Sequence, residues 1–358
     1  MAKNYTNLDL INHCDAFPYE KSQPQEYAAH MKDAFLVEWS DSSDASDSSA
    51  VYHIGYMLRA VVDALVAIPK PALEAMGLAA DVDLQAAIET SRVVPLHRLL
   101  RLQTTEPART AALGRLNQYW REAGAFKVLR GWRDELWPVY SRSNELLFSV
   151  ERAAAGLFGV VRYGVHMTAY VVEDAGATGT GTGDIKIWVP RRAANKSTYP
   201  SMLDNTVAGG LMTGEDPFEC VVREADEEAS LPDAVVRANA QPAGMITYIY
   251  ITDERAGGES GYIYPECEWI YDLPLPAATV PQPKDGEVES FMLCSVAEVR
   301  EQLAQGLYKP NCAVVLIDFM VRHGLLTPAN EPDYDTIVSR LHRLLPFPGP
   351  HLAESRTA

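Results

Sequence analysis

From Gly209 to Leu231 the chain reads Gly-Gly-Leu-Met-Thr-Gly-Glu-Asp-Pro-Phe-Glu-Cys-Val-Val-Arg-Glu-Ala-Asp-Glu-Glu-Ala-Ser-Leu, a stretch that leaves little freedom of structure. Asp216 before Pro217, with Glu219 three positions on, has the pattern of a helix N-cap, a first-turn proline and a capping-box partner. The spacing predicts a helix that starts near Pro217 and is stopped by Pro232. On that helix Glu224, Glu227 and Glu228 stand at i, i+3 and i+4, so the three carboxylates share one face. Arg223 lies four before Glu227 and is placed to reach back to Glu215, tying the loop to the helix. Three crowded carboxylates repel one another unless a cation sits among them. Hard oxygen ligands suit Mg²⁺ or Mn²⁺, and the usual partner of these ions is a substrate phosphate. The ordinary alternative, a solvated acidic helix face, does not explain the leading glycines Gly209 and Gly210 or the fixed spacing.

The rest of the chain bounds this reading. Its 358 residues are enough for two domains, and 47% hydrophobic with 22% charged residues describes an ordinary globular protein. A net charge of −17 argues against a nucleic-acid backbone binder. The five cysteines have no zinc spacing and read as free thiols of a reducing compartment. No signal-peptide pattern opens the sequence and no apolar run reaches membrane length, so a cytoplasmic protein with no membrane partner is expected.

In chain order, a helix is expected from Leu8, ended by the Asp15–Pro18 region, and a Ser/Asp-rich run from Ser40 to Ser49 that is a mobile loop or disordered. Apolar residues at three- and four-residue intervals predict a helix from Val51 to Ile68, and another helix is read over 106–123. Gly131–Tyr140 reads as strand or turn and Ser149–Phe158 as a connecting helix, with a domain boundary at 158. Strands follow at Val160–Val172 and Ile185–Val189, joined by a glycine-rich hairpin tip from Gly176 to Gly183. Beyond the acidic helix, strands are read at Gly244–Thr252, Trp269–Leu273 and Val288–Leu293. Helices are read at Ser295–Gln305 and Asn311–His323, and a helical tail over Tyr334–Leu345 is expected to pack on the outside.

The Gly209–Leu231 pattern resembles the Nudix box, the signature of hydrolases that cleave a diphosphate linked to another moiety. The family usually has glycine where this chain has Ser230. Further runs, including Gly164–Tyr170, Trp188–Arg192, Leu203–Gly210, Asp285–Phe291 and Lys309–Ala313, resemble one Nudix subgroup, the thiamine pyrophosphokinase-related proteins, in which serine at that position is usual. The resemblance implies an α+β protein. Residues 159–350 would form a Nudix α/β/α sandwich with a mixed sheet, and residues 1–158 a smaller α/β domain of uncertain role. It implies hydrolysis of thiamine diphosphate, above all its oxidised or damaged forms, to the monophosphate. A nucleotide such as ADP-ribose or NADH is the alternative substrate.

Under that resemblance Glu224, Glu227 and Glu228 would hold Mg²⁺ or Mn²⁺, with Arg223 and Glu215 supporting the box. The attacking water needs a base. Glu287 and Glu289, which strand alternation puts on one side, are the leading candidates outside the box, with Glu266 and Glu268 behind them. Arg191, Arg192 and Lys196, with Gly209 and Gly210, are candidates for holding the diphosphate. Trp137, Trp188, Tyr262, Tyr264 and Trp269 could stack on a heteroaromatic ring, and His166 reads as a satisfied strand histidine. Arg191–Thr206 is also similar to isopentenyl diphosphate isomerase, but Val207 and Ala208 stand where that enzyme needs a cysteine. A ligand sensor without catalysis is a further alternative. The expected partner is a small-molecule diphosphate, with a homodimer left open.

Overall fold

A computed structural model describes residues 4–42, 47–173 and 184–354. The glycine-rich tip expected at Gly176–Gly183 lies outside them, as do residues 43–46 of the Ser/Asp-rich run. The architecture is α+β. In the first half, β1 (Ala34–Ser40) pairs antiparallel with β2 (Val51–Leu58) and parallel with β3 (Val93–Pro95). A ribbon of β4 (Leu136–Tyr140) and β5 (Leu146–Glu151) lies beside the long helix Glu106–Glu122.

The second half is built on a mixed sheet. It comprises β6 (Arg162–Glu173), β7 (Asp184–Arg192), β8 (Val207–Gly210), β9 (Gln241–Ile251), β10 (Ile263–Pro274) and β11 (Val288–Ser295). The strand order is β11-β7-β6-β10-β9, with β8 also on β6, and β6 and β10 run parallel. Period-two alternation sorts the side chains. Val165, Met167 and Ala169 of β6 and Cys267, Trp269 and Tyr271 of β10 face the helix Pro217–Ala229. Ile246, Tyr248 and Tyr250 of β9 and Ile270 of β10 face the helix Pro310–Arg322. Helices therefore cover both faces of the sheet.

Three expectations are corrected. Val51–Ile68 is not one helix: Val51–Leu58 is strand β2, and the helix covers only Arg59–Val66. Pairing with β1, Tyr52 against Trp39 and Tyr56 against Leu36, overrides an apolar spacing that fits both periods. In the same way, Leu147, Phe148 and Val150 bury in β5, leaving only Ala155–Phe158 helical before Gly159. The tail does not lie on the outside. After the helix Tyr334–Arg340, Leu345 and Phe347 enter the core beneath β6 and β10, 2% and 1% exposed. The opening helix Asn7–Cys14 also buries Leu10, Ile11 and Cys14 in the core under Pro310–Arg322. The division expected at residue 158 thus separates that helix from the core it packs in.

Candidate active site

Strand β8 runs along β6, Gly210 opposite Gly164, and delivers the chain to the loop before the acidic helix. The Asp216 carboxylate caps that helix, accepting from the Phe218 and Glu219 backbone N–H at 2.8 and 3.2 Å. The capping box is only half made, because Glu219 turns to the Arg237 guanidinium at 2.6 and 2.7 Å. Arg223 donates to both Glu215 oxygens at 2.8 and 3.1 Å. It also donates to Glu224 at 2.8 Å and to Glu227 at 3.0 Å. One planar fork thus ties the loop to the helix.

Glu228 accepts the Ala208 backbone N–H at 3.1 Å, which holds β8 over the acidic face. The two leading glycines permit close approach. A Cβ on Gly209 would lie 2.3 Å from the Glu224 carboxylate, and one on Gly210 would lie 2.8 Å from the Trp137 ring. Burial pushes the Glu224 carboxyl up to about 7 against the pull of Arg223. Burial also raises the Glu228 carboxyl well above its usual range, with the charges of Glu224 and Asp204 adding to it.

Among the described residues no three His, Cys, Asp or Glu side chains form a ready ligand set, and Arg223 takes an oxygen from both Glu224 and Glu227. The donor chemistry nevertheless fits a hard divalent cation. Two carboxylates are held where their charge is poorly compensated, a third stands exposed on the same face, and all are oxygen donors.

The flanking candidates fare differently. Arg192 is buried and fully engaged: it donates to Asp204 at 2.6 Å and to the Thr198 and Tyr199 carbonyls at 2.9 and 3.1 Å. It braces the 198–204 loop and has no free edge for a phosphate. Arg191 is turned to the Ser201 carbonyl, 2.8 Å away. Lys196 is paired with Glu287, whose carboxyl it holds below the usual range despite burial. The pairing of β11 with β7 shifts register between Val288 and Ser290, which breaks the alternation that put Glu287 and Glu289 on one side, and Glu289 is exposed.

A cavity of about 400 Å³ opens beside Ala208, Gly209 and Gly210. Of the rings named from sequence, Trp137 and Tyr264 line it, whereas Trp188, Tyr262 and Trp269 do not. Arg162 lies between those two rings, 4.8 and 4.4 Å from their centroids, and pairs with Glu266 at 2.8 Å. The Tyr248 hydroxyl donates to Glu266 and Glu268 at 2.5 and 3.0 Å. His166 is engaged as expected, with Asn205 and Asn311 at 2.8 and 3.3 Å from its ring nitrogens. Burial works to raise the Glu268 carboxyl, but the hydrogen bond and charge of His166 and the charge of Lys309 leave it lowered.

Sequence reasoning missed Arg162, Tyr248, Asn311 and, from the first half of the chain, Arg130, Arg133 and Arg152, all of which line the cavity. The alternation of β6 and β9 placed Arg162 and Tyr248 on definite faces. No local signal marked the arginines.

The sequence matches two family models: the NUDIX domain over residues 169–312, and a domain of unknown function, DUF4743, over residues 86–162. The DUF4743 match thus lies directly before the NUDIX match along the chain. It is 41% identical over 224 residues to an uncharacterized protein of Saccharomyces cerevisiae, covering 62% of this chain and 64% of the yeast protein. It is 40% identical over 204 residues to Nudix hydrolase 20, chloroplastic, of Arabidopsis thaliana, covering 56% and 50% of the two chains. Nudix hydrolase 24, chloroplastic, of the same plant is 37% identical over 217 residues, covering 60% and 54%. The chain thus spans between half and just under two thirds of these relatives' own length. No helix among the described residues is long and apolar enough to cross a membrane.

Proposed function

We propose that this protein is a divalent-metal-dependent Nudix pyrophosphohydrolase acting on a small diphosphate that carries a heteroaromatic ring. The observation that carries the reading is the Arg223 fork joining Glu215, Glu224 and Glu227, with Glu228 beneath glycines that open onto an aromatic-lined cavity. Glu224, Glu227 and Glu228 would hold Mg²⁺ or Mn²⁺, which when bound offsets the charge that develops on the diphosphate oxygens. Arg223 positions two of these carboxylates, and Gly209 lets the Glu224 carboxylate approach the strand edge. Trp137, Tyr264 and Tyr248 line the cavity that the ring of the substrate would enter.

Within this class we favour thiamine diphosphate or its oxidised forms, hydrolysed to the monophosphate and phosphate in a cytoplasmic setting that suits five free buried thiols. The substrate rests on the sequence resemblance. Of the outside candidates for the base, Glu268 lines the cavity and is held in its charged form, while Glu287 is engaged by Lys196. The test is phosphate and monophosphate release with Mg²⁺ from thiamine diphosphate, its oxidised analogues, ADP-ribose and NADH. Turnover of the thiamine compounds at least tenfold above the nucleotides is expected. Turnover of ADP-ribose alone would replace thiamine by a nucleotide, and turnover of none would overturn the hydrolase reading.

A further inference from the structure

A site for a diphosphate needs cations, and the basic residues named from the sequence for that role are already engaged. Arg192 is spent on Asp204 and two carbonyls, Arg191 faces Ser201, and Lys196 is held by Glu287. Five Lys and Arg residues line the cavity itself: Arg130, Arg133, Arg152, Arg162 and Lys309. Arg162 is pinned on Glu266 between two rings, and the charge of Lys309 falls on Asp204 and Glu268. The other three precede β6 and, like Arg162, come from the DUF4743 region.

Arg133 is exposed; its backbone N–H donates to Glu151 at 3.0 Å, and its guanidinium reaches Glu287 only at 4.0 Å. Arg130 is exposed and makes no ion pair among the described residues. Both stand on or just after the short turn Lys127–Gly131, and that turn is anchored across the cavity. The Glu259 carboxylate, from the loop between β9 and β10, accepts the Val128 N–H at 3.2 Å and the Lys127 N–H. A Cβ on Gly258 would lie 2.9 Å from Val128, so the two loops touch directly. In a chain of net charge −17, exposed guanidinium groups lining one cavity are an uneven use of charge.

We infer that the DUF4743 region completes the active site: Arg130 and Arg133 bind the phosphate groups of the substrate, and Glu259 positions the turn that carries them. The inference rests on the diphosphate reading for the chemistry of the ligand. It gives the first half of the chain a recognition role that the NUDIX domain does not fill with its own side chains.

The test measures binding of imidodiphosphate, which is not hydrolysed, by calorimetry at fixed Mg²⁺ to the full chain and its variants. Arg130→Ala and Arg133→Ala should each weaken binding about tenfold and the double variant about a hundredfold, with unfolding temperatures unchanged. Glu259→Ala, which removes no cation, should weaken binding about threefold to tenfold by freeing the turn, and Glu259→Gln should restore much of it. Binding by the double variant within twofold of the parent, or no binding by the parent, would overturn the inference. Wild-type binding that needs both arginines, without turnover of any diphosphate, would sink the hydrolase reading and leave this one standing.

Discussion

Glu228 is held at a cost. Its carboxyl is pushed up by burial and by Glu224, and against that it accepts the Ala208 N–H at 3.1 Å. Glutamine keeps the shape and an acceptor oxygen but removes the charge. In EDTA, Glu228→Gln should therefore raise stability by about 1–3 kcal/mol while turnover falls by about 10²–10³. Denaturant melts paired with a phosphate-release assay check both halves, and a variant that is less stable and still active would contradict the assignment. At this scale the acidic box was readable because its partners are near in sequence: Arg223 meets Glu215, Glu224 and Glu227 within eight positions. Arg192 was misread because its partner Asp204 is reached across a fold, and burial, not charge, decides what a guanidinium can bind.

At the scale of the element, the helix Pro217–Ala229 ends with Ser230 in the left-handed region, φ 52°, its N–H bonded back to Asp226 at 3.2 Å. A side chain in that conformation is strained, whereas glycine is not. Ser230→Gly should raise stability by about 0.5–1 kcal/mol, visible as a small upward shift in unfolding temperature with turnover unchanged. A drop in stability would mean that the serine hydroxyl supports the cap. This helix was legible end to end, since Asp216–Pro217 starts it and Pro232 stops it. Strand β2 was not. Val51, Ile54 and Leu58 fit a helical period and Tyr52, Ile54, Tyr56 and Leu58 a strand, and only pairing with β1, twenty residues earlier at Leu36 opposite Tyr56 and absent from any local window, breaks the tie. The arginine-bearing turn at Lys127–Gly131 escaped notice for the same reason, its anchor Glu259 being 132 positions away from Lys127.

For the whole molecule, both ends of the chain are sewn into the NUDIX half, which a reading by domains could not show. Near the C-terminus, burial pushes His351 down to about 4 from 6.5. The unfolded chain then binds the extra proton between those values, so stability present above about pH 6.5 is lost as the pH falls towards 4. Melts of wild type and His351→Gln should diverge, wild type losing more stability on going from about pH 7 to about pH 5. Parallel curves would remove His351 from the acid response. At the other end, Asp15 is 2% exposed and gathers four partners. It accepts from Arg343 at 2.9 Å, Arg340 at 3.1 Å, the Tyr19 hydroxyl at 2.7 Å and the Ile249 N–H at 3.1 Å. Alanine there would leave the Arg343 guanidinium, 8% exposed, without its counter-charge and β9 with an orphaned donor. A loss of about 3–5 kcal/mol is expected, a fall in unfolding temperature of roughly 10 °C. Because Cys14 lines the cavity and the Asn7–Cys14 helix packs on Pro310–Arg322, whose first turn bears Asn311, substrate affinity should fall with it. Asp15→Asn, which keeps an acceptor for Ile249, should lie between the two. Calorimetric melts of the three proteins decide the matter, and an Asp15→Ala shift below about 2 °C would show that this end of the chain is an appendage rather than a strap across the back of the site.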